Sequence, residues 1–284
     1  MKQALKHLYR TGQLLSVDVA LGALAGGSLA AWWTRQEMPI LWWMALPVSV
    51  WVIYTLDHLL DAYRLKDQAH TDRHLFHHQH FRAIAAAWTL AFLTCVLVFP
   101  WWLPLPMIWF ALGMGGLVLI HLGLVKLIGD RISHFFHKEI GVAVIYTAGV
   151  WGGPLSLMTS GISVEIWLLL LQYFLLALIN LLIFSTYEHD IDEIDGHTSF
   201  VRAIGTGGAQ KLIGGIVVMV VGIGIAFLWN SPRLTDAVLM QVILMSMLAL
   251  LTWVAFAPGL FQTHERYRLW GDLVFLIPGV IWLI

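Results

Sequence analysis

Stretches of about 20 apolar residues recur down this chain with only brief interruptions, and that recurrence leaves it few possible folds. A helix needs about that many residues to cross a bilayer core about 30 Å thick, because each adds about 1.5 Å. Laid along the sequence, this ruler marks spans near 14–34, 38–58, 83–100, 104–125, 139–158, 164–186, 211–229, 236–257 and 267–284. The expected fold is all-α: a polytopic membrane helix bundle of about nine transmembrane helices, in one domain over 1–284. Charge is scarce in proportion, at 12% of residues against roughly 25% in a soluble domain. A formal net charge of −1 offers no basic surface for nucleic acid. The single cysteine, Cys95, lies in an apolar run, so neither an intrachain disulfide nor a cysteine-built metal site is available. Lys2, Lys6 and Arg10 precede an apolar stretch too long for a signal-peptide core, which reads as an uncleaved first span.

The connections alternate in character. Those at 35–37, 99–103, 159–163 and 230–235 are short, whereas those at 59–82, 126–138, 187–210 and 258–266 hold most of the charge. If the N-terminus is inside, 14 of the 16 Lys and Arg fall on the inner face, leaving Arg35 and Arg233 outside. The positive-inside rule then places the N-terminus and the charged face in the cytosol and the C-terminus on the opposite side. Twelve of the 13 histidines share the charged face, with His121, near the end of the fourth span, set apart. Topology alone accounts for the lysines and arginines; it does not account for carboxylates grouped at two particular helix ends.

The second span ends in Tyr54-Thr-Leu-Asp57-His58-Leu-Leu-Asp61. Asp57 and Asp61 are four residues apart and share a helical face, with Tyr54 one turn back. The sixth span ends in Tyr187-Glu188-His189-Asp190-Ile-Asp192-Glu193-Ile-Asp195, where Glu188, Asp192 and Asp195 follow the same one-face spacing and Gly196 is placed to stop the helix. Like charges so arranged repel unless solvent screens them or a cation lies between them. Beside lipid, where one desolvated carboxylate costs kilocalories, such clusters point to function. Both close even-numbered spans and so face one side. Their separation fits two related four-helix halves, about 10–125 and 126–257, plus a ninth helix at 267–284. Facing each other over a cavity mouth, they would hold Mg²⁺, which binds through one or two carboxylates plus substrate phosphate oxygens. The substrate that fits has a diphosphate at the membrane surface and an apolar tail, as an isoprenoid diphosphate does.

In these motifs the chain resembles the UbiA-type superfamily of intramembrane prenyltransferases, as a divergent member. That family has nine transmembrane helices, with N-D-x-x-D-x-x-x-D at the end of the second and D-x-x-x-D, followed by Gly and Thr, at the end of the sixth. The second motif is matched by Glu188-x-x-x-Asp192-x-x-x-Gly196-x-Thr198, then Val201-Arg202-x-x-Gly205. The first is incomplete: Asp57 and Asp61 take its last two acidic positions, while Ile53 and Tyr54 stand where Asn and the first Asp belong. The resemblance implies Mg²⁺ on Asp57, Asp61, Glu188, Asp192 and Asp195, the first four being catalytic. It further implies a substrate site drawn from Tyr54, Arg73, Lys138, Tyr146, Tyr187 and Arg202, with Arg73 and Lys138 on the diphosphate. Trp151 is a further candidate for the cavity wall, and Gln13 and Asp18 are the polar first-span residues available to hold an acceptor. The implied activity is prenyl transfer to a lipophilic acceptor within the bilayer, or cyclisation of the prenyl diphosphate with no acceptor, as in the terpene synthases of the superfamily.

Two other classes compete. His74-x-x-His77-His78 has the form of one histidine box of the membrane di-iron hydroxylases, and His70, His80, His134, His137, His189, His197 and His264 lie on the same face. Imidazole suits iron or zinc, so a metal oxidase through His74, His77 and His78 is the alternative; that class, however, uses three separated boxes. A simpler reading makes the segment an interfacial helix, with Leu75, Phe76 and Phe81 in the membrane. A transporter would carry its charges near mid-membrane. Here only Asp18 and Asp272 approach a span interior, with Gln172 and Asn180 as uncharged polar residues.

Overall fold

A computed structural model describes residues 10–65, 72–125, 138–189 and 200–284, apart from the side chains of Leu65, Asp72 and His264. Among the described residues there is no strand, and each expected span is helical. In chain order the helices are α1 (Val17–Thr34), α2 (Trp42–Leu65), the short α3 (Asp72–Gln79), α4 (Phe81–Leu93) and α5 (Leu105–Gly123). There follow α6 (Lys138–Ser156), α7 (Val164–Tyr187), α8 (Phe200–Asn230), α9 (Leu234–Phe256) and α10 (Arg266–Leu273), the last running into a 3₁₀ helix at Val274–Leu283.

Six of these rods are long and apolar enough to cross a membrane: α2, α4 with its continuation to Trp101, α5, α7, α8 and α9. The other three expected spans are helical but more polar or interrupted. Helix α1 carries Asp18, Ser28 and three glycines, α6 opens on Lys138-Glu139, and the last span changes to 3₁₀ geometry after Leu273. Pro278 contributes to that change, because it has no N–H to give an α-type bond. The same chemistry acts in α4, whose last turns become π-helical at Thr94–Val98 and 3₁₀ at Phe99–Trp101 around Pro100. Large apolar side chains lie open on α4, α5 and α8, Leu90, Trp109 and Val218 among them, a surface that lipid covers and water would not tolerate. The chain is an integral membrane protein.

Helix α7 is the centre of the bundle. It packs on α6, α8, α9 and α10, and its Leu169, Tyr173, Leu176 and Ile179 have no exposed surface. Helix α1 lies against the C-terminal 3₁₀ helix, α2 and α6. Close approach there depends on small residues, since a Cβ at Gly22 would collide with the Phe275 side chain of the 3₁₀ helix. Helix α8 kinks at Gly205, whose φ of 74° suits glycine and few other residues. At the end of the bundle away from the acidic residues, Arg233 lies over the Trp33 ring at 4.2 Å and, with Arg35, pairs with Asp236. Helices α2 and α6 touch only slightly, and the space they leave between them is where the site lies.

Candidate functional site

The gap between α2, α5, α6 and α7 is a cavity of about 810 Å³. Its wall on α2 follows helical periodicity: Trp42, Leu46, Val50, Tyr54, Asp57 and Asp61 all face it. At 1.5 Å per residue this stripe runs about 28 Å, from an apolar end to an acidic one. Because α6 starts and α7 ends at the level where α2 turns acidic, Lys138, Glu139, Ser185 and Glu188 meet Asp57 and Asp61 at the same mouth. Arg73 and His74 of α3 and Arg268 and Asp272 of α10 complete it. Asp57 and Asp61 of the first acidic motif and Glu188, the first acid of the second, more than a hundred residues apart in sequence, therefore line one cavity.

The α2 acids lie inside the helix rather than at its end, since α2 continues to Leu65. Asp61 is buried, with His74 Nε2 3.9 Å from its carboxylate, and Asp57 is half-buried. Helix α7 stops at Tyr187, and Glu188 caps it with φ −98° and ψ 4°; the expected one-face run on through Asp192 and Asp195 lies outside the described residues. Asp190, Asp192, Glu193 and Asp195, with Gly196, His197 and Thr198, lie outside the described residues, as do His70, His134 and His137. Glu188 Oε2 is 2.8 Å from an Arg268 guanidinium nitrogen, and Oε1 is buried with no hydrogen-bond partner. Arg73 donates to the Gln13 carbonyl at 3.3 Å and stands 4.0 Å from Asp272.

The structure brings Tyr54, Arg73, Lys138 and Tyr146 to the cavity wall, together with the described acids. It does not bring Tyr187 or Arg202 there. The Tyr187 hydroxyl donates to the Val254 carbonyl at 2.8 Å and its ring stacks on Tyr267, while Arg202 lies exposed on the first turns of α8. Trp151 is fully buried against Tyr173 and does not line the cavity. Gln13 and Asp18 are buried outside its lining; Gln13 accepts from Arg10 through its side chain, and Asp18 accepts from the Val19 N–H. His121, set apart in the sequence, faces the same cavity from the last turn of α5.

The carboxylates of Asp57, Asp61 and Glu188, with one Glu188 oxygen unpartnered, are oxygen donors of the kind that suits Mg²⁺, and the His58 and His74 imidazoles line the same cavity. Among the described residues no group of three or more His, Cys, Asp or Glu converges enough to hold a metal by itself, which Mg²⁺ bound partly through substrate phosphates does not require. Iron or zinc through His74, His77 and His78 would need such a group. His74 and His77 instead turn toward His58, with ring centroids 5.9 and 5.2 Å away, and His77 Nδ1 bonds the Arg73 carbonyl at 2.9 Å. Burial pushes the His77 imidazole below its usual pKa, and the Arg73 charge acts in the same direction.

Sequence reasoning missed Glu139 and Arg268 as parts of the site. Asp272 had a signal, an acid within an apolar run; Arg268 had none beyond its charge.

No protein-family model matches this sequence, nor does any curated protein. In structure the chain is similar to the apo form of a UbiA homolog from Aeropyrum pernix K1, with a TM-score of 0.63 over 93% of this chain and 97% of that one. The two sequences are 13% identical, so the likeness is one of fold: this chain has the UbiA-type helical fold that its motifs resemble.

Proposed function

We propose that this chain is a prenyltransferase-like membrane enzyme that ionises an isoprenoid diphosphate and transfers the prenyl group to a lipophilic acceptor. One observation carries the reading: a single cavity joins the acids of α2 and Glu188 at the end of α7 to an apolar length among the helices. The diphosphate belongs at the mouth, where Arg73 and Lys138 offer charge to its oxygens. Asp57, Asp61 and Glu188, with Asp192 and Asp195 of the second motif, would hold Mg²⁺ beside it. Bound there, Mg²⁺ supplies the charge neutralisation that makes diphosphate a good leaving group. The tail lies along Val50, Leu46 and Trp42, and these walls keep water from the allylic cation until it meets the acceptor. Tyr54 and Tyr146, on the wall next to the acids, present aromatic faces to that cation. The Lys and Arg bias supports a mouth and an N-terminus on the cytosolic side.

The test is release of diphosphate by the detergent-purified protein from geranyl, farnesyl and geranylgeranyl diphosphate, with and without Mg²⁺, with identification of the organic product. Mg²⁺-dependent release is expected, with a prenylated acceptor as product. A cyclic terpene would instead make the chain a cyclase. Stoichiometric iron or zinc with no diphosphate release would overturn the proposal in favour of the histidines.

A further inference from the structure

We infer that Glu139 is a positioning residue, one that pins the last turn of α7 to the first residue of α8 and thereby fixes the Glu188 carboxylate at the cavity mouth. The inference rests on the function proposed above. Glu139 lies in the first turn of α6 and is 2% exposed. Its Oε1 accepts two hydrogen bonds, from the Ser185 hydroxyl at 2.9 Å and from the backbone N–H of Phe200 at 2.9 Å. Ser185 is three residues before Glu188 and so on the adjoining turn of the same helix face. The Phe200 N–H is one of the donors at a helix start that have no partner within the helix, and an anion there is favoured by the helix dipole. A single carboxylate oxygen thus joins α6, α7 and α8.

Glu188 is the C-cap of α7, its N–H bonded to the Phe184 carbonyl at 2.9 Å, one turn from the Ser185 that Glu139 holds. Glu139, Ser185 and Glu188 all line the same cavity. The other oxygen of Glu139, Oε2, is buried without a hydrogen-bond partner, an arrangement that costs stability. An apolar side chain of similar length would fill the space without that cost, so packing does not account for the acid, whereas its two accepted bonds do. Residues that hold a metal-binding side chain in place through such bonds typically change metal affinity by about 10- to 100-fold when removed.

The experiment titrates Mn²⁺, as a paramagnetic stand-in for Mg²⁺, into the detergent-purified full chain with inorganic diphosphate and reads binding by electron paramagnetic resonance. Glu139→Ala should weaken Mn²⁺ binding by about 10- to 100-fold. Glu139→Gln should stay near wild type, because its amide oxygen accepts the same two bonds. Ser185→Ala removes one of them and should cost about fivefold; it also carries the test if Glu139→Ala does not fold. Wild-type affinity in Glu139→Ala or in Ser185→Ala would overturn the inference while leaving the proposed function intact. A Glu139→Gln loss as large as that of Glu139→Ala would overturn it too, making the carboxylate itself a ligand. If the wild-type protein binds no Mn²⁺ with diphosphate, the function fails and the inference with it.

Discussion

Glu188 and Arg268 hold each other 2.8 Å apart with little of either side chain exposed. Removing one partner of such a pair leaves the other charge desolvated, while removing both removes the problem. Arg268→Met should therefore lower stability by about 3 kcal/mol, and Glu188→Gln added to it should restore most of the loss, as read by thermal unfolding in detergent. If Arg268→Met unfolds at the wild-type temperature, the pair contributes nothing. At this scale the sequence was informative where like residues clustered and silent where they did not. Asp57, Asp61 and Glu188 stood out because acids at helical spacing beside apolar runs are costly, and all three reach the cavity. Tyr187 and Arg202 lay beside the same motif, yet Tyr187 faces Val254 and Arg202 points outward, because helical rotation, not nearness in sequence, decides what a side chain meets. Arg268 becomes visible only once α10 is seen to pack against α7.

Helix α3 docks its histidine face on α2, and His77, with no exposed surface, titrates below its usual pKa because of that burial. When α3 is undocked, His77 takes up a proton at about pH 6.5, whereas docked it resists protonation to a lower pH. Docking is therefore fully present above that value and weakens as pH falls toward the docked pKa, since the undocked state binds more protons there. The Arg73 and His80 charges oppose protonation in the same way, while the bond from His77 to the Arg73 carbonyl works against them. Protection of the α3 amides, corrected for the intrinsic exchange rate, should fall as pH drops below about 6.5, and His77→Phe should suppress the fall. A fall that persists in His77→Phe would place the switch elsewhere. In α6 the open space over Gly149 lies about 16 Å along the helix from Lys138, deep in the apolar part of the cavity. Gly149→Phe should cut kcat/KM for geranylgeranyl diphosphate at least about tenfold relative to geranyl diphosphate; an equal loss for both would show that the tail does not lie there. Element positions were legible from apolar length alone. Their ends were not: α2 runs on to Leu65, because a bilayer ruler says nothing about a helix that continues into water, and Pro100 and Pro278 rework helix geometry locally.

Across the whole molecule, the all-α membrane bundle followed from composition and periodicity, and its UbiA-type form is borne out by the similarity in fold to the Aeropyrum pernix homolog. What no local pattern carries is the gap between α2 and α6, two helices that both pack on α1 and barely touch each other. That gap brings Asp57, Asp61 and Glu188 to one mouth, where the proposed chemistry needs them to act together. The most direct measurement compares Mg²⁺-dependent diphosphate release from farnesyl diphosphate by the wild type, Asp57→Asn, Glu188→Gln and the double variant. Each single change should lower the rate by about 100-fold or more, and the double variant should be little worse than the poorer single, as residues of one catalytic unit behave. Losses that multiply in the double variant, as independent sites give, or singles that keep the wild-type rate, would contradict it.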